Sequence, residues 1–149
     1  MTKPNRKVVV VDDQPAVRRS VGRSLRLAGF EIREFGSAEE LLAIPAEWKA
    51  DCFVFDVNLT GMSGLDLYRT LRSRGVQTPV VFMTADASAI SRATPEPGVV
   101  TYLLKPFDRT ALLQAVDEAA GFDQVQGQSS QPGQDSIELT RSSQEDPQK

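Results

Sequence analysis

A chain of 149 residues, 40% hydrophobic and 25% charged, is long enough to bury one real core and carry an appendage. Its longest apolar stretches are strand-length, well short of the ~20 residues of a membrane span, and its net charge of −3 lacks the basic footprint of a nucleic-acid binder. The absence of histidine excludes a phosphohistidine donor, a Ser-His-Asp triad and a His-ligated zinc site.

The N-terminus, MTKPNRK followed by VVVV, is basic then apolar. It stops at Asp12-Asp13 with no small-residue cleavage site, so no signal peptide is expected. Lys7–Asp12 reads as a strand buried on both faces, because its apolar run is unbroken and β-branched. Pro15 opens a predicted helix to about Ala28, with Val17, Val21 and Leu25 on one face and Gly29 as its stop. Arg18, Arg19, Arg23 and Arg26 lie on the other face, either as a solvated surface or as a docking surface for an acidic partner.

Phe30–Phe35 predicts a short strand near a sheet edge. Ser37 and Glu40 form a capping-box pattern for a helix over Leu41 and Leu42 that must stop before Pro45. Asp51–Phe55 is the third predicted strand; its Cys52 is the only cysteine, read as a small buried residue that fits a reducing cytoplasm. A glycine-punctuated loop, Thr60–Gly64, leads to a helix closed near Gly75. Thr78–Thr84 and Val99–Leu104 are the last two strands. Between them Ala87–Thr94 makes at most a short helix, since Pro95 and Pro97 follow. Asp108 caps a final helix ending near Gly121. Strands alternating with helices predict an α/β fold, a parallel sheet with helices on both faces.

From Asp123 onward five acidic residues (Asp123, Asp135, Glu138, Glu145, Asp146) face two basic ones (Arg141, Lys149), which leaves 15 of each sign up to Phe122. The acidity therefore belongs to the tail. That tail is rich in Gln, Ser, Gly, Asp and Pro and cannot bury enough surface to offset ordering entropy. The expected organisation is a domain over residues 1–122 and a disordered polar tail over 123–149.

Four of the apolar runs end on a residue suited to phosphate or metal: Asp12-Asp13, Asp56, Thr84 and Lys105-Pro106. Parallel strands would bring these ends to one edge of the sheet, where open α/β sheets bind ligands. Two carboxylates ~5 Å apart repel by roughly 3 kcal/mol at an effective dielectric near 20, so the cluster should raise a carboxyl pKa or bind a divalent cation. Oxygen-only donors suit Mg²⁺. Asp56 could then attack phosphorus in line, with Lys105 bonding the phosphoryl oxygens for ~1.5–3 kcal/mol. Thr84 could report occupancy of the site.

VVVVDDQPAVRRSVGRSLRLAGFEI, CFVFDVNLTGMSGLDL, TPVVFMTAD and YLLKPF together resemble the receiver domain of two-component response regulators, the CheY-like fold, over about residues 5–122. The resemblance implies a doubly wound five-stranded parallel sheet of order 2-1-3-4-5. It implies a signalling phosphoacceptor rather than an enzyme, at most phosphorylating and dephosphorylating itself. Asp56 would accept phosphate from a sensor histidine kinase or phosphotransfer protein. Asp13 would bind Mg²⁺ directly, Asp12 directly or through water, with Asp56 and the Asn58 backbone carbonyl as further ligands. Thr84 and Lys105 would contact the phosphate, Tyr102 would be the aromatic switch, and an unknown downstream protein would be the output partner. No nucleic-acid or membrane contact and a cytoplasmic location are expected.

Three departures stand out. Leu59-Thr60-Gly61 occupies a place where many relatives carry proline. The fourth helix is cut short by Pro95 and Pro97. No helix-turn-helix output segment is expected in the polar tail. Two other readings compete. A phosphatase of the haloacid-dehalogenase kind shares the residue types, but its nucleophile comes first in chain order and its acidic pair last. A pseudo-receiver that binds partners without phosphorylation would keep the fold alone.

Overall fold

The computed structural model describes residues 6–44 and 49–129, with side chains through Gly121. Five strands alternate with five helices: β1 (Lys7–Val11), α1 (Pro15–Leu27), β2 (Glu31–Phe35), α2 (Ala38–Leu42), β3 (Cys52–Asp56), α3 (Gly64–Ser73), β4 (Val80–Thr84), α4 (Ala87–Arg92), β5 (Val99–Leu104) and α5 (Arg109–Ser129). The strands form one sheet of order β2-β1-β3-β4-β5, and every pairing is parallel. This is the predicted doubly wound architecture.

The apolar runs explain the layers. β1, β3 and β4 are interior strands, so alternate residues feed two separate cores. Val8, Val10, Val54, Val81 and Met83 pack with Val21, Leu25, Leu112 and Val116, which are the inner faces of α1 and α5. Val9, Val11, Phe53, Phe55 and Phe82 pack on the opposite side with Leu41, Leu67, Tyr68 and Leu71 from α2 and α3. Cys52 is free and fully buried, and burial pushes its thiol pKa far above the ordinary range. Among the described residues no helix is long and apolar enough to cross a membrane.

The helix starts follow their caps. Gln14 stands at the N-cap of α1 with Pro15 in its first turn. The Ser37 hydroxyl accepts from the Glu40 amide, while Glu40 Oε1 accepts from Gly36 rather than from Ser37 itself, one residue off the expected box. Asp86 caps α4 and Asp108 Oδ1 accepts from the Ala111 amide at the start of α5.

Several boundaries differ from expectation. β3 includes Asp56 and begins at Cys52; just before it, the Asp51 amide donates to the Lys7 carbonyl and the Asp51 carboxylate accepts from the Lys7 amide. β4 begins at Val80, not Thr78. α4 ends at Arg92 and has no buried residue, since Ile90 is its only large apolar side chain. α5 runs to Ser129, beyond the helix end expected near Gly121 and into the first residues of the segment expected as a polar tail. No proline interrupts the chain until Pro132, and Gly121 does not take the left-handed conformation that stops a helix. Residues 130–149 of that predicted tail lie outside the described residues.

Candidate functional site

The site is built where β1, β3 and β4 end, at the carboxyl edge of the sheet. Asp12 follows β1 and still donates its amide to the Phe35 carbonyl of β2, which fixes its backbone. Its side chain is fully buried; Oδ1 accepts from the Gln14 amide at 2.9 Å and Oδ2 from Lys105 Nζ at 3.0 Å. Asp56 closes β3 and is also buried. Its Oδ1 accepts from the Asn58 amide at 3.0 Å and its Oδ2 from Lys105 Nζ at 2.9 Å. One ammonium therefore bridges two carboxylates 49 and 93 residues away in sequence.

Asp13 completes the cluster. One carboxylate oxygen from each of Asp12, Asp13 and Asp56 lies within 4.8 Å of the others. Asp13 is only partly buried, and its Oδ2 accepts from both the amide and the hydroxyl of Thr60, at 2.9 and 2.6 Å.

The electrostatics follow from this geometry. Burial raises the Asp12 pKa, with the Asp56 charge adding to it, against the hydrogen bonds from Gln14 and Lys105. Burial works to lower the Lys105 pKa, but its bonds to Asp56 and Asp12 and their charges outweigh it, so it is held charged. The Thr60 hydroxyl draws the Asp13 carboxyl below its ordinary value. Three carboxylates against one ammonium leave a local excess of negative charge. Hard oxygen donors this close together fit a small divalent cation that keeps some of its waters. At the same edge the Asp56 carboxylate stands beside the positive charge of Lys105.

Thr84 ends β4 and is fully buried. Its hydroxyl oxygen accepts from the Asp86 amide at 3.0 Å, and its carbonyl accepts from the Lys105 amide at 2.7 Å. Asn58 is exposed and turns its amide onto Asp56. Tyr102 is apart from the cluster: a register shift near Val80 sets it opposite Phe82, and the rings stack 5.3 Å apart. The Lys105–Pro106 peptide is cis.

Sequence reasoning missed four participants. Thr60 stands out in the sequence only as a departure from a common proline, yet its amide and hydroxyl both donate to Asp13. Gln14 supplies an amide to Asp12, and Arg18 donates from α1 to the Asp12 carbonyl at 2.7 Å. Arg18 is thus tied to the site, while Arg26 pairs with Glu34 at 2.8 Å and Arg19 and Arg23 are exposed. Gly64 is the fourth: its amide donates to Val57, and any Cβ there would overlap the Asp56 carbonyl oxygen. Only glycine lets α3 start this close to the end of β3.

Comparison with known proteins agrees with the geometry. Residues 8–117 match the family described as the response regulator receiver domain. The chain is 38% identical over 118 residues to Nodulation protein W of Bradyrhizobium diazoefficiens, covering 78% of this chain and 52% of that protein. It is 33% identical over 121 residues to the transcriptional regulatory protein FixJ of Azorhizobium caulinodans, covering 80% and 57%. The chain thus spans about half the length of the curated relatives it matches. Chemotaxis response regulator CheY4 of Vibrio cholerae superposes with a TM-score of 0.71 at 27% identity, over 78% of this chain and 99% of that one. With matching fold, matching sequence and an acidic cluster at the predicted sheet edge, the chain belongs to the response regulator receiver domain family of two-component systems.

Proposed function

We propose that this protein is a Mg²⁺-dependent phosphoacceptor that takes its phosphoryl group on Asp56 and thereby switches its affinity for another protein. The observation that carries this reading is the Lys105 ammonium, 2.9 Å from Asp56 and 3.0 Å from Asp12, beside a third carboxylate on Asp13.

The chain has no histidine, so a phosphohistidine donor belongs to a partner, a sensor histidine kinase or a phosphotransfer protein. A carboxylate oxygen of Asp56 attacks phosphorus in line. The new P–O bond forms as the P–N bond breaks, and the electron pair of that bond leaves with the donor imidazole. Mg²⁺, held by Asp12, Asp13, Asp56 and the Asn58 carbonyl, would neutralise charge on the transferring group. Lys105 moves its hydrogen bonds from carboxylate to phosphoryl oxygens. Asn58 holds Asp56 Oδ1 through its amide, which limits rotation of the nucleophile.

Thr84 connects occupancy to shape. Its hydroxyl oxygen accepts from Asp86, which leaves its proton to be donated to a phosphoryl oxygen. Its carbonyl is bonded to the Lys105 amide, so a shift of Thr84 is felt at the end of β5, the strand that carries Tyr102. Contact with a downstream protein, not with nucleic acid or membrane, is the output in this reading, and the cytoplasm is where the donor would be met.

The test is incubation with Mg²⁺ and a small phosphodonor, followed by mass measurement. One phosphoryl adduct on Asp56, lost in Asp56→Asn and in chelator, is the expected result. An undiminished adduct in Asp56→Asn would overturn the reading, and rapid turnover of many phosphate esters would favour a phosphatase instead.

A further inference from the structure

Thr60 lies in the loop between β3 and α3 and reaches the loop between β1 and α1, 47 residues away, where its amide and hydroxyl both donate to Oδ2 of Asp13. We propose that Thr60 is a positioning residue for the cation site: it fixes the Asp13 carboxylate by one oxygen, leaves the other for the cation, and so sets divalent-cation affinity. This rests on the Mg²⁺-site reading given above.

The three carboxylates are restrained in different ways. Asp12 is buried and held by the Gln14 amide and Lys105; Asp56 is buried and held by the Asn58 amide and Lys105. Asp13 is more exposed and does not receive Lys105 Nζ, whose two hydrogen bonds go to the other two. Thr60 supplies to Asp13 what an amide and Lys105 together supply to Asp12 and Asp56: one backbone and one side-chain donor.

An unrestrained aspartate at a loop would populate several rotamers, and a cation would have to select one. Holding it in advance removes that ordering cost from the binding step. Partners that hold a metal ligand through a hydrogen bond typically change affinity about 10–100-fold when removed. The identity of residue 60 decides whether the bonds exist. Serine keeps both donors, valine keeps only the amide, and proline has neither. A chain with threonine here therefore holds Asp13 in a way that a chain with proline cannot.

The experiment is calorimetric titration of Mg²⁺ into the full, unphosphorylated chain, for the parent and for Thr60→Val, Thr60→Ser, Thr60→Pro and Asp13→Asn. Thr60→Val should bind about tenfold more weakly, Thr60→Pro at least as weakly, and Thr60→Ser like the parent. Thr60 is exposed, so the fold should survive, and Thr60→Ala serves as the second variant if Thr60→Val does not fold. Parent-like or tighter binding by Thr60→Val and Thr60→Pro, with affinity lost in Asp13→Asn, overturns the role of Thr60 and leaves the phosphoacceptor reading standing. Thr60→Ser binding as weakly as Thr60→Val also overturns it, because the hydroxyl would then not be the cause. A parent chain that binds no Mg²⁺, or an Asp13→Asn variant that binds like the parent, overturns both.

Discussion

Lys105 stands between two buried carboxylates, so its removal leaves charge without compensation rather than merely deleting a contact. Breaking a buried pair by removing one partner costs more than the pair contributes, because the remaining charge is still desolvated. Lys105→Ala should lower the unfolding free energy by about 3 kcal/mol in chelator at neutral pH, measured by urea denaturation. Added Mg²⁺ should recover part of that loss, since a cation replaces the ammonium. At this scale Asp12, Asp13, Asp56 and Lys105 were legible in the sequence, each standing at the end of an apolar run. Thr60 was not, because a bond between residues 47 apart leaves no local pattern. Thr84 was legible as a strand-end hydroxyl, but its engagement with the Asp86 amide depends on how the following turn folds.

The elements around the site differ in how firmly they are packed. α4 contributes no buried residue, whereas the connection behind it is gripped from α3. The Tyr68 hydroxyl donates to the Pro97 carbonyl at 2.8 Å, and the Arg69 guanidinium bonds Glu96. Gly98 takes a left-handed conformation against Tyr68, a place where a side chain would be both strained and obstructed. Tyr68→Phe should cost about 1 kcal/mol, seen as a lower urea midpoint at pH 8. Burial raises the Tyr68 pKa above its ordinary value. The folded state thus favours the protonated phenol, and that contribution is fully present below about pH 10 and lost as pH rises through the folded value. The stability of the parent should therefore fall more steeply than that of Tyr68→Phe above pH 10; parallel curves would remove Tyr68 as the cause. The shortness of α4 was readable from Pro95 and Pro97, while the grip from α3 was not, because it joins residues 27 to 29 apart across the sheet edge.

Over the whole molecule two cores flank one sheet, and the described side chains of α5 enter only one of them. Among the described side chains, those that α5 buries in that core are Leu112, Ala115, Val116, Ala119 and Ala120. A chain ending at Phe122 should therefore melt close to the full-length temperature even though α5 continues to Ser129; a large drop in a thermal melt would show that the removed segment packs. The sequence by itself determined the order of elements and the residue at the end of each apolar run. Interior parallel strands are buried on both faces, and that burial demands continuous runs which end where the polar edge begins. Tertiary structure alone decided which of those ends touch. Lys105 meets Asp12 across 93 residues, Thr60 meets Asp13 across 47, and α3 can begin beside Asp56 only because Gly64 lacks a Cβ. Those contacts depend on strand order and on loops closing against one another, and neither is written in any short stretch of chain.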